Sequence, residues 1–111
     1  MITGLIIKET LTDELLLDHL TIDKVEIWKT DNAIKYWTMI WFTSDEADFP
    51  ERLSNVILNG WFADMKEDHT KLIVFSDAVL RYDIGNAAEK DAVLDECRRH
   101  GIPEHQLDWK E

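Results

Sequence analysis

The stretch Tyr36-Trp37-Thr38-Met39-Ile40-Trp41-Phe42 decides how this chain folds. Alternate side chains of a strand point to opposite faces of its sheet. A strand over 36–43 therefore presents Trp37, Met39 and Trp41 to one side, and Tyr36, Ile40 and Phe42 to the other. Both sides are apolar, so both need cover. Upstream, 24–30 alternates Val25 and Ile27 with Lys24, Glu26 and Trp28, and Asp31-Asn32 supplies turn residues that tolerate left-handed backbone. The two segments read as a hairpin. A two-residue turn puts Val25 and Ile27 on a face with Tyr36, Thr38 and Ile40, and gathers Trp28, Trp37, Met39 and Trp41 beside Lys24 and Glu26. One extra loop residue exchanges these sets, because a one-residue slip flips every side chain.

Working outward, the apolar run over 2–8 predicts a first strand. Thr12 is the expected cap of a short helix, with Asp13 and Glu14 at its positive end and Leu16, Leu17 and Leu20 on one face. Asp48 and Glu51 resemble a capping box around Pro50, and Leu53, Val56 and Ile57 form a helical stripe that Asn59-Gly60 closes. Segments 61–65, 72–75 and 79–82 have the rhythm of an antiparallel meander. The clearest helix covers 87–100, with Asn86 as cap, Arg98 and Arg99 late, Gly101 at the stop and Pro103 beyond. The expectation is α+β: a mainly antiparallel sheet of five to six strands with three helices. Its first six elements follow the ferredoxin-like β-α-β-β-α-β order. A plain antiparallel sheet with helices packed on it is the rival, because the first helix is barely long enough for a parallel crossover.

A length of 111 residues fits one domain over 1–111. Apolar residues make up 45% and charged residues 32%, which places the chain among globular proteins. Twelve Lys and Arg against twenty-three Asp and Glu give 12 − 23 = −11, a charge that repels nucleic acid and anionic membranes. The only adjacent basic pair is Arg98-Arg99, too little for a row of phosphates. The acidity could instead mimic DNA toward a basic groove on another protein, although solubility explains it equally. A single cysteine, Cys97, forms no internal disulfide. The N-terminus lacks the cationic and apolar regions of a signal peptide, and no apolar run reaches the ~18–20 residues that span a bilayer. The expected location is the cytoplasm.

Motifs for chemistry are sparse. The four glycines, Gly4, Gly60, Gly85 and Gly101, lie far apart, so no phosphate-cradling loop can be read. Ser44, Ser54 and Ser76 sit in turn or cap contexts rather than a nucleophile elbow. Cys97, His100 and His105 offer metal ligands, but Cys-x2-His-x4-His is not a zinc spacing, and Cys97 continues the apolar stripe of Val93 and Leu94. As a nucleophile activated by His100, Cys97 would gain from Arg98 and Arg99 but be opposed by Asp95 and Glu96. Asp64 and His69 bring a carboxylate and an imidazole to one turn, as a general base or ion site requires, and as any solvated hairpin tip also provides. Asp45, Glu46, Asp48 and Glu51 lack calcium-loop spacing. No cofactor and no metal site is expected.

Function then rests on the aromatic face. Three or four large aromatics left in water would expose roughly 500–900 Å², more than the ~300–600 Å² of a monomer's largest apolar patch and close to one side of a standard interface. The cover is the protein's own helices, a second copy, another protein or an apolar ligand. The expected role is a non-catalytic interaction protein that uses Trp28, Trp37, Met39 and Trp41, as a homodimer or with another protein. The alternative is a small enzyme or ligand-binding protein whose pocket the same aromatics wall, with Asp64 and His69, or Cys97 and His100, supplying polar groups.

Overall fold

A computed structural model of the chain describes residues 1–111. Six strands, β1 (Ile2–Ile7), β2 (Thr21–Lys29), β3 (Tyr36–Ser44), β4 (Ala63–Glu67), β5 (Thr70–Phe75) and β6 (Ala78–Asp83), form one sheet in the order β2-β3-β1-β4-β5-β6. Every neighbouring pair is antiparallel. The helices are a 3-10 segment at Glu14–His19, the short α1 (Phe49–Ser54) and the long α2 (Ala87–Arg99). The protein is thus α+β, with a six-stranded antiparallel sheet and three helices, one of them long.

Two local outcomes depart from the sequence reading for identifiable reasons. Asp13, not Thr12, caps the first helical segment by accepting from Leu15 N at 2.9 Å, while the Thr12 hydroxyl donates to the Val56 carbonyl. Helix α1 stops at Ser54, well short of Asn59-Gly60, because the chain after it pairs with residues 10–12 instead. Thr12 N donates to Val56 O at 2.7 Å and Leu58 N to Thr10 O at 2.8 Å. Helix α2 matches its signals closely: Asn86 Oδ1 accepts from Glu89 N at 3.1 Å, and Gly101 takes the left-handed φ of 81° that glycine adopts at no steric cost.

The sheet carries a separate apolar core on each face. On the α1 face, Ile2, Ile6, Ile40, Phe42, Met65, Leu72 and Val74 meet Leu16, Phe49, Leu53 and Ile57, with Phe42 and Phe49 rings 4.9 Å apart. Full burial of each such side chain contributes about 1.5–3 kcal/mol. Gly4 lies within this face, opposite Phe42 and Met65, where an added Cβ would stand 2.7 Å from Met65 Cβ. The opposite face, here called the tryptophan face, has its core only at β5 and β6. There Ile73, Phe75 and Tyr82 pack against Val93 and Cys97 of α2, and against Ile102.

Candidate functional site

The hairpin register settles which residues share the tryptophan face. Trp28 pairs with Trp37, Glu26 with Met39 and Lys24 with Trp41, so these six side chains lie together, while Val25, Ile27, Thr38 and Ile40 face the other way. The connection is longer than the two-residue turn at Asp31-Asn32: strands end at Lys29 and resume at Tyr36, with Thr30 N donating to Lys35 O at 2.7 Å. An even number of added loop residues preserves the faces. A bulge between Ile22 and Lys24 then shifts the far end of β2.

The four aromatic-face residues do not fare alike. Met39 is only 4% exposed, sealed within its own chain. Trp37 is half-buried against Trp61, whose ring crosses it edge to face at 5.4 Å. The Trp37 indole N–H is fully buried without an oxygen acceptor, and an aromatic face can serve such a donor weakly. Trp41 is half-buried, with the Lys24 ammonium 4.5 Å from its ring and Trp28 at 6.4 Å. Trp28 is 44% exposed, and its N–H donates to Glu26 at 2.9 Å.

Strand β2 is the outer edge of the sheet and is open on both faces. Beside Trp28, the other face exposes Val25, Ile27 at 71% and, on β3, Tyr36. None of the three helices serves this half: the buried residues of the Glu14–His19 segment and of α1 join the core under β1 and β3–β5, and those of α2 the core at β5 and β6.

Across the tryptophan face runs a groove with β1 and β4 as floor. One wall is built from Trp41 and Trp37 on β3, the other from the C-terminal segment. That segment is held by four polar contacts. Lys71 Nζ donates to Lys110 O at 2.6 Å, Trp109 Nε1 to Tyr82 OH at 2.9 Å, Tyr82 OH to Glu111 Oε2 at 2.7 Å, and Lys90 Nζ to Glu111 at 3.2 Å. Two cavities open in the groove and share Leu5 and Asp64. The larger, about 540 Å³, lies between Trp41 and Trp109; the smaller, about 340 Å³, lies between Trp37, Met39, Trp61 and His105. Lys71, 3% exposed, pairs with Asp64 at 2.7 Å across the floor.

The residues singled out for chemistry are scattered. Asp64 alone of the proposed polar groups reaches both cavities, and it is engaged by Lys71. His69 lies at the β4–β5 turn, and Cys97 is buried on α2 in the core behind β5, where desolvation pushes its thiol up to about 11. His100 stacks on Phe75 at 4.3 Å. His105 borders the smaller cavity. No three His, Cys, Asp or Glu side chains converge as metal ligands would, and no helix is long and apolar enough to cross a membrane. Sequence reading missed Trp61, Lys66, Lys71, Trp109 and Lys110. A lone tryptophan in the polar stretch 103–111 was the available signal for Trp109.

Comparison of the chain with family models, curated proteins and solved structures gives no match.

Proposed function

We propose that this chain is a small acidic cytoplasmic interaction protein without catalysis of its own, which associates with a second copy of itself through the β2 end of the sheet. One observation carries the reading: β2 is a nine-residue free edge with apolar side chains exposed on both faces. Such an edge is a template for further strand pairing, and soluble proteins normally blunt or cover it. Ile22, Val25, Ile27, Trp28 and Tyr36 together leave roughly 500 Å² in water, a large part of the ~800 Å² per partner of a standard interface. The bulge at Asp23 limits regular pairing to Lys24–Lys29, and antiparallel pairing about a two-fold axis there places Val25 and Ile27 of the two copies against each other. The role foreseen for Met39 passes to Val25 and Ile27, because Met39 has no surface to offer. In the same spirit we read β1 to β4 as the ferredoxin-like arrangement. Its support is that β3 lies antiparallel between β1 and β2, and β1 between β3 and β4.

Sedimentation velocity over a dilution series tests the association. The wild type is expected at twice the 13.0 kDa chain mass, and Ile27→Lys, which alters a side chain already in water, at one chain mass. A monomer at every concentration refutes the reading.

A second reading, a ligand-binding protein whose pocket the tryptophans wall, is supported by the 540 Å³ cavity, which falls within the range of small-molecule sites.

A further inference from the structure

Resting on that second reading, we infer that the larger cavity binds a small aromatic carboxylate. Trp41 stands on β3 and Trp109 over β5 and β6, where its N–H reaches Tyr82. Three strand spacings, about 14 Å, separate β3 from β5. The apolar floor between them is Leu5, flanked by Thr3, and a flat fused-ring molecule fits that span.

The charge comes from the lysines. Lys66, Lys71 and Lys110 all line the cavity, in a chain with only twelve basic side chains. Lys66 and Lys71 are directly opposite each other across β4 and β5, on the same face. Like charges in that position repel. Lys71 is relieved by Asp64 at 2.7 Å, whereas Lys66 and Lys110 have no carboxylate within ion-pair distance. Three acids line the same cavity: Asp64 is paired with Lys71, Glu111 is paired with Lys90 outside the lining and accepts from Tyr82, and Asp23 accepts from the Thr43 hydroxyl at 2.6 Å but has no cationic partner. Two lysines without a carboxylate partner, Lys66 and Lys110, against one such acid, Asp23, therefore line an aromatic-walled cavity on a protein of charge −11, whose general field repels anions. The attraction is local. A carboxylate reaching Lys66 and Lys110 gains charge-assisted hydrogen bonds and removes the Lys66–Lys71 repulsion.

Tryptophan-fluorescence titration with 2-naphthoate and its neutral counterpart 2-naphthamide tests the inference. Naphthoate should bind at least tenfold more tightly, and added salt should narrow the gap. The double variant Lys66→Met/Lys110→Met, whose sites carry no ion pair to lose, should bind the two probes equally. Leu15→Gln, an exposed position that lines neither cavity of the groove and adds no charge, should keep the preference. Equal affinity in the wild type overturns the anionic class and leaves the pocket reading standing. Binding of neither probe overturns both. A preference that survives in the double variant overturns the role of the two lysines.

Discussion

Gly4→Ala puts the closeness of β1 and β4 to a quantitative test. The new Cβ would sit 2.7 Å from Met65 Cβ, 2.9 Å from the Asp64 carbonyl oxygen and 3.1 Å from Met65 Cα. Carbon atoms in contact prefer about 3.5–4.0 Å. Two of these three neighbours are backbone, so no rotamer change relieves them, and the strands must part by something near 1 Å. Strand β1 has β3 on its other side, which resists the movement. Overpacking of this kind costs about 1–3 kcal/mol, and the rigid backbone neighbours place it in the upper part of that range. Loss of glycine freedom in the unfolded chain returns about 0.4–1 kcal/mol. The net expectation is a loss of about 1.5–2.5 kcal/mol. For 111 residues the entropy of unfolding is about 0.23 kcal/mol/K, so the midpoint should fall by about 6–11 °C. Thermal and urea unfolding followed by circular dichroism measure both quantities. Thr3→Ala, next in sequence but exposed on the opposite face, should stay within about 0.5 kcal/mol of wild type. A Gly4→Ala midpoint within 2 °C of wild type would refute the packing argument.

Two further predictions concern titratable groups. With the Cys97 thiol pushed up to about 11 by burial, roughly one molecule in a thousand is thiolate at pH 8, so a disulfide reagent should label it only slowly until denaturant is added. Immediate labelling of the folded protein at pH 8 would contradict this. Burial likewise raises the Tyr82 phenol to about 12, helped by the Glu111 carboxylate and opposed by the hydrogen bond from Trp109. The folded state holds this proton more tightly than the unfolded one, so the contribution to stability is complete below pH 10 and disappears as pH rises through 12. The difference between wild-type and Tyr82→Phe absorbance titrations at 295 nm should centre near 12; a difference centred near 10 refutes the burial argument.

The strands and the long helix were legible because their signals are local. Alternation over 24–29 and 36–42 sorted each strand's side chains into two sets, with the loop length deciding which sets share a face, and Asn86, Arg98, Arg99 and Gly101 bracketed α2 within a residue or so. What stayed hidden depends on distant partners. Asn59-Gly60 looks like a helix stop, yet the helix yields at Ser54 because residues 10–12 capture the next carbonyls and amides. Met39 and Trp28 look equivalent along the chain, but their strands differ: β3 is flanked by β1 and β2, whereas β2 has one neighbour only. The groove was the least visible part, since its far wall comes from Trp109 and Lys110, nearly seventy residues after Trp41, and is positioned by Tyr82 and Lys71.

The polar fastening of the last few residues means that the groove has one fixed bank and one detachable bank. Trp41 belongs to the hydrogen-bonded sheet and can leave only when the sheet itself melts. Trp109 and Lys110 are held by four polar contacts and by the packing of Trp109 against Phe62, with no strand ladder, and terminal segments of this kind open at a free energy below that of global unfolding. A guest seated between them would act as a clasp, slowing amide exchange over 107–111 while leaving β1 to β3 as they were.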